Sequence, residues 1–374
     1  MSISVEEFLI GPRGRRFLFE LATHPRTSER LALARSETVS QFFPSGAVRY
    51  QFLLSEDSSG SEEWYPEPSG LTAPSPDVLA ELLEACEVPD LTPRALRLAL
   101  EASVDSAAYW RKPDGEDRLL SLPVMRPALA RISEQVLPYV PDVWARAYDS
   151  SAPQVCIVFE SLPAPEAEEP RRPPEEILSR WRRDLSEREA ECADELRRDP
   201  ALGVSADWWS TPPLGLARTA RAGPSGDVPM LGIIEDTFGA QRATCIPAHP
   251  GPSRTVLEID HPQDWTKLCR RYPLDVTALR RSDWGATTDR LGAWVQPDWH
   301  ALAQEVDGIH LTVRGYLAGA GRALAVDSDR ASMIAGFTPD ETIWFAPISL
   351  DAERARVWEL DEDDESWHPV PATR

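Results

Sequence analysis

The chain reads as an α+β protein of two domains: a mixed, mostly helical N-terminal domain and an α+β C-terminal domain. Three observations predict this. The 374 residues are enough for two hydrophobic cores. Apolar residues recur mostly with helical spacing up to residue 160, then fall into short strand-like runs from residue 207. Between these regions, residues 161–175 (SLPAPEAEEPRRPPE) are proline-rich, charged and without an apolar face, the composition of a stiff linker.

In the first domain (1–160), FLFELATH and VRYQFLLSE read as strands, or as a helix and a strand. Residues 56–75 form an acidic Ser/Gly/Pro loop. Ser75 and Thr92 are placed to cap two helices that open on Pro76 and Pro93, where proline costs least. Residues 123–147 are a third helical stretch broken at Pro138 and Pro141, and VCIVFE at 155–160 is a short β-type run. Beyond the linker, residues 176–206 carry a charged connecting helix with a narrow stripe of Ile177, Leu178, Trp181 and Leu185. In the second domain (207–350), WWSTPP, MLGIIED, ATCIPA, RTVLEID and ETIWFAPI read as strands, and HPQDWTKLCRRYP and PDWHALAQEV as helices. DGIHLTVRGYLAG is a strand followed by a short helix or turn. Residues 359–374 are an acidic tail expected to be disordered.

The net charge of −22 argues against a nucleic acid or an anionic membrane as partner, because both want a basic surface. No apolar run approaches the length of a membrane helix, and the first 20 residues are too acidic and interrupted for a signal peptide. Five scattered cysteines in no metal-binding pattern read as reduced thiols of a cytoplasmic protein, and six unpaired histidines add no metal site. Dinucleotide and phosphate loops, the nucleophile elbow, HExxH and EF-hand patterns are all absent, and Gly11-Pro12-Arg13-Gly14 and Gly319-Ala320-Gly321 are too short to replace them.

Seven of the thirteen tryptophans fall between Trp208 and Trp344, beside polar residues, so a polar-aromatic surface in this half is the expected place for a site. Ser210 and Thr211, next to Trp209, are small hydroxyls able to hold a ribose or carbonyl, or simply a strand end. Glu258 and Asp260 share a strand face, as paired carboxylates or as a cap and a solvated acid. Arg280, Arg281 and Trp284, with Thr287, Thr288 and Arg290 close behind, are the most plausible anion-binding stretch; the other reading is an internal ion pair. His310, between apolar neighbours, is a general base or a hydrogen-bonded core histidine. Asp340 and Glu341 open a late strand and are placed to stabilise a cation, or are edge charges. In Tyr109-Trp110-Arg111-Lys112-Pro113-Asp114-Gly115-Glu116-Asp117 the acid cluster with two aromatics is a grip for a cationic group, or the stretch is an ordinary helix-ending turn.

The segments Trp209-Ser210-Thr211-Pro212, Val256 with Glu258-Ile259-Asp260 and Asp264-Trp265, Pro297-Asp298-Trp299, Asp307-Gly308 with His310-Leu311-Thr312, and Thr342 with Trp344 resemble a domain of uncharacterised actinobacterial proteins, over about a third of the chain. More distantly, a Ser-Thr strand with a late acidic strand is similar to ADP-ribosyltransferase-type domains. That resemblance implies Ser210 and Thr211 as the pocket strand, Glu341 as the catalytic acid, and His310, Arg280 or Arg281 as contacts to NAD. Two elements of that pattern are missing: the arginine before the Ser-Thr strand and the second acidic or amide residue two positions before Glu341.

The expectation is therefore a transferase or tailoring enzyme acting on a nucleotide-like or peptide substrate, with Glu341 and His310 catalytic, Ser210, Thr211, Arg280, Arg281 and Trp284 binding substrate, NAD as a possible cofactor and no metal. The alternative is a non-catalytic binding or immunity-type protein whose acidic surface engages a basic protein or peptide.

Overall fold

The computed structural model describes residues 3–23, 29–42, 74–88, 91–160, 172–203, 207–223, 228–235, 239–361 and 366–371. The expected strand VRYQFLLSE, most of the acidic loop and nearly all of the linker lie outside the described residues.

Helices come first: α1 (Val5–Ile10), α2 (Pro12–Thr23), α3 (Glu29–Phe42), α4 (Pro76–Glu84), α5 (Pro93–Asp105), α6 (Gly115–Leu120) and α7 (Arg126–Val136). Local chemistry explains their starts. The hydroxyls of Ser4, Ser75 and Thr92 and the carboxylate of Asp114 each accept a backbone N–H from the first turn that follows. The described part of FLFELATH, residues 17–23, lies in α2 as helix, with Phe17, Leu18 and Leu21 buried in the helical layer. Then come β1 (Gln154–Phe159), the long α8 (Pro174–Arg198), β2 (Ala217–Arg221), β3 (Arg242–His249) and β4 (Val256–Ile259). A run of short elements follows: α9 (Pro262–Arg271), β5 (Pro273–Asp275), α10 (Thr277–Arg280), α11 (Asp283–Thr288), β6 (Ala293–Pro297), α12 (Trp299–Leu302), β7 (Gly308–Leu311) and α13 (Val313–Gly319). The chain closes with β8 (Leu324–Ala325), β9 (Arg330–Ser332), β10 (Glu341–Trp344), β11 (Ser349–Leu350), β12 (Arg356–Asp361) and β13 (Ser366–Pro369).

The main sheet, among the described residues, runs in the order β13-β12-β3-β1-β2-β10-β7-β4, with β11 also pairing β3. It is antiparallel except for β4 beside β7, the ends of the crossover that contains α9 to α12. A smaller sheet, β5-β6-β9-β8, flanks it. The architecture is α+β. The boundary expected at residue 160 falls just after a central strand: β1 is hydrogen-bonded to β2 on one side and β3 on the other. One hydrophobic cluster runs from Ile3 through Phe17 and Leu129 to Ile259, Tyr316 and Ile343, so the helical layer and the main sheet share a core.

α8 matches its charged-helix expectation and packs on α10 and α12 through Leu178, Leu185, Cys192 and Leu196. Its Glu189 carboxylate accepts the N–H groups of Ala278 (2.7 Å) and Leu279 (2.9 Å), capping α10 from outside. Two expected strands are absent: MLGIIED contains a turn of 3-10 helix at Pro229–Gly232, and WWSTPP is irregular. The acidic tail, expected to be disordered, pairs β12 with β3 and β13 with β12 at the sheet edge. Its strand character comes from Trp358 and Trp367, which cover the cluster around Phe159 and Cys245.

Candidate functional site

The tryptophans of the C-terminal half are mostly core. Trp265, Trp284, Trp294, Trp299 and Trp344 are fully buried, while Trp208 and Trp209 are half-buried. Burying each indole removes roughly 150–250 Å² from water, worth about 4–6 kcal/mol by area. Their polar neighbours answer the indole N–H. Trp265 donates to Ser332 (2.9 Å), Trp284 to the Trp208 carbonyl (2.7 Å), Trp299 to the Ser210 carbonyl (3.1 Å) and Trp344 to Thr219 (2.9 Å). The expected polar-aromatic surface is thus largely an interior, with four of these five indole donors satisfied and the Trp294 N–H without an acceptor.

His310 and Glu341 lie on opposite faces of the sheet. In the β7–β10 ladder Thr342 is opposite His310 and Glu341 is opposite Leu311, so adjacent residues point to opposite sides. His310 is buried and bonded at both ring nitrogens: Nδ1 to Glu258 (2.7 Å) and Nε2 to Asp340 (3.2 Å). Arg221 continues the line with an ion pair to Asp340 at 3.3 Å, and the Tyr148 N–H donates to Glu258. Asp340 holds its place at a φ of 58°, a left-handed conformation that costs a non-glycine residue about 1 kcal/mol. Burial alone would lower the imidazole pKa; the bonds to Asp340 and Glu258 outweigh it and push it up to about 9. A charged imidazolium with no free nitrogen cannot accept a substrate proton. His310 ties β7 to Glu258 of β4 and to Asp340 before β10 through its two ring nitrogens, the arrangement of a hydrogen-bonded core histidine.

Glu341 is bound by Arg218 (2.8 Å), which also donates to Thr211 (3.2 Å) and to the Pro212 carbonyl (2.8 Å). Burial pushes its carboxyl up, and Arg218 opposes the shift. Ser210 is buried and exchanges hydrogen bonds with the backbone of Ala335. Arg280 is buried, Arg281 is exposed on the next position of the helical turn, and Trp284 is core. The fold joins Glu341 to Thr211 and places Arg280 beside Trp209 and Trp284. It does not bring His310, Glu341 and Arg281 to a common surface.

An open cleft lies elsewhere, where α2 and α6 meet the α11 end and the loop after α13. Its volume is about 610 Å³. Arg13 and Arg15 from α2, Lys112, Arg118 from α6 and Arg322 line it, against two carboxylates, Asp117 and Asp289. Arg13 is spoken for, by Asp117, the Ser103 carbonyl (2.8 Å) and Ser106 (2.8 Å). Arg15 is less satisfied: it donates to the Leu9 carbonyl at 2.9 Å, and its buried Nε has no acceptor. Burial lowers the Arg15 pKa, and the like charges of Arg13, Arg322 and Arg126 act in the same direction. The first turn of α2 has no acid, although the positive end of the helix dipole favours one. Tyr109 forms part of the wall; its hydroxyl and that of Tyr316 both donate to Glu235, at 2.5 and 2.7 Å.

Thr287, Thr288, Tyr109 and Lys112 were singled out by residue type, but Arg13, Arg15 and Arg322 were not. The available signal was Gly11-Pro12-Arg13 with Arg15 and Arg16: three cations opening a helix without an acid.

Among the described residues, no group of three or more His, Cys, Asp or Glu side chains is arranged to hold a metal ion. No described helix is long and apolar enough to cross a membrane. Comparison with known proteins found no matching family, no matching curated protein and no matching solved structure.

Proposed function

We propose that this protein binds a phosphate-bearing, nucleotide-like small molecule in the cleft where α2 and α6 meet the α11 end and the loop after α13. One observation carries the reading: a chain of net charge −22 lines this cleft with five cationic side chains against two carboxylates. Positive potential concentrated in a concave site on an acidic protein attracts a multivalent anion. Arginine suits phosphate geometry, and burial lowers the pKa values of Arg15 and Arg322, as at a partly desolvated cationic site. We read the helical and sheet layers as two halves packed on one shared core, rather than as domains on a linker. The buried thiols of Cys192, Cys245 and Cys269, none in a disulfide, fit a reducing, cytoplasmic setting.

A transferase step at Glu341, His310 and Arg280 draws no support from this arrangement, because each group is held in a different environment. A basic protein or peptide partner is the second reading, supported by the net charge alone.

The test is calorimetric titration with pyrophosphate, ADP, ATP and NAD at low and moderate salt. Saturable binding that weakens with salt, and falls at least tenfold in Arg15→Gln and Arg322→Gln, is the expected result. At about 100 times Kd, ligand adds about 2.7 kcal/mol of stability, visible as a rise in Tm. No heat and no Tm shift with any of the four would overturn the proposal and move attention to basic peptides.

A further inference from the structure

Four arginines are buried among the described residues: Arg13, Arg16, Arg280 and Arg314. Three have a carboxylate in direct contact: Arg13 has Asp117, Arg16 has Glu20 and Asp114, and Arg314 has Asp260. Arg280 is the exception. Its side chain is 2% exposed, its Nη2 donates to the Trp209 carbonyl at 3.2 Å, and its Nε and Nη1 have no acceptor. A desolvated guanidinium with idle donors is among the costliest states in a protein interior, and a bound anion or an ordered water relieves it.

The surroundings define the remedy. The guanidinium carbon lies 5.8 Å from the Trp284 ring centre. Trp209 packs edge-on against Trp208 at 5.8 Å, and Trp208 against Trp110 at 4.8 Å; these three rings are half-buried, so the aromatic wall reaches solvent. The carboxylates nearby are engaged elsewhere: Glu189 caps α10, and Asp207 pairs with Arg188 at the surface. Burial pulls the Arg280 pKa down to about 10, with Asp207, Asp283 and Glu189 opposing and Arg188 assisting. The group is therefore still cationic at neutral pH.

We propose that Arg280, beside the Trp209 carbonyl and the Trp284 ring, is a binding site for a single carboxylate of a small organic acid. A monoanion matches one guanidinium. A dianionic phosphate would face the repulsion of Asp207, Asp283 and Glu189. The half-buried rings of Trp208 and Trp209 suit an apolar or aromatic body on the acid, with benzoate as the simplest probe. This site rests on different residues from the cleft and stands or falls separately.

The experiment is a benzoate titration at fixed ionic strength, with chloride as control, read by calorimetry and by the 15N-labelled arginine Nε resonances of the intact chain. Wild type is expected to bind saturably in the millimolar range or better and to shift one protected Nε–H signal. Arg280→Lys is expected to lose at least tenfold in benzoate affinity and leave nucleotide affinity in the cleft unchanged. Asp207→Asn, which removes a competing negative charge, is expected to tighten benzoate severalfold, a gain that a purely structural role for Arg280 does not produce. If Arg280→Lys fails to fold, the Nε shift in wild type and the Asp207→Asn gain decide the matter. A non-saturating response equal to that of chloride, with no Nε shift, would overturn the proposal and assign the idle donors to buried water.

Discussion

His310 shows how much one side chain's surroundings decide. The same residue on a bare strand would titrate near 6.5, but between Glu258 and Asp340 it is held charged up to about 9. Because the folded value is raised, its contribution to stability is fully present below about pH 6.5 and is lost as pH rises through about 9. His310→Gln should unfold about 3–5 kcal/mol more easily than wild type at about pH 6, since two carboxylates then face each other without the cation. The gap should narrow by about pH 9.5. Denaturant unfolding of both proteins across this range checks it, and a gap that does not change with pH would remove the imidazolium from the account. From the sequence, His310 among apolar residues was legible as buried or functional, not which. The deciding groups stand 52 and 30 positions away in the chain.

At the scale of elements, caps and apolar stripes were the legible part. Ser75, Thr92, Pro76, Pro93 and the α8 stripe needed only neighbours within a turn or two. Short apolar runs were not legible. MLGIIED and WWSTPP lack alternation, and their roles come from what they touch: Met230 and Leu231 fill core gaps, and the Trp208 and Ser210 carbonyls accept indole N–H groups. α13 gives a sharper case. A Cβ added at Gly315 would stand 2.4 Å from the Ile259 carbonyl oxygen, so the helix lies directly against the end of β4. Helix propensity alone predicts that Gly315→Ala stabilises by about 1 kcal/mol. The packing predicts the reverse, a loss of about 2 kcal/mol or more, measurable by thermal unfolding. A stabilised variant would show that α13 does not press on β4.

At the scale of the molecule, the shared core has a thermodynamic consequence. α1 and α2 pack on α13, and β1 is paired on both sides, so neither half keeps its interior if the other unfolds. Differential scanning calorimetry should show a single cooperative transition whose calorimetric and van't Hoff enthalpies agree. Two resolved transitions would restore the two-domain reading drawn from the linker composition. The charge distribution also exists only at this scale. Net charge is a sum that predicts an acidic surface, while Arg15, Lys112 and Arg322 form a positive cleft only after folding gathers them from positions far apart in the chain.

The sequence by itself determined the α+β class, the starts of α4 and α5, the charged helix α8, and the strands β3, β4, β7 and β10, because periodicity and capping are encoded within about ten residues. Tertiary structure alone decided that His310 is tied at both nitrogens, that Glu341 faces away from it, that Arg280 is buried without a carboxylate and that the cations of the cleft converge. The physical reason is range. Strand register decides which face a side chain occupies, and long-range contacts decide which charges meet. Neither leaves a local trace in the order of residues.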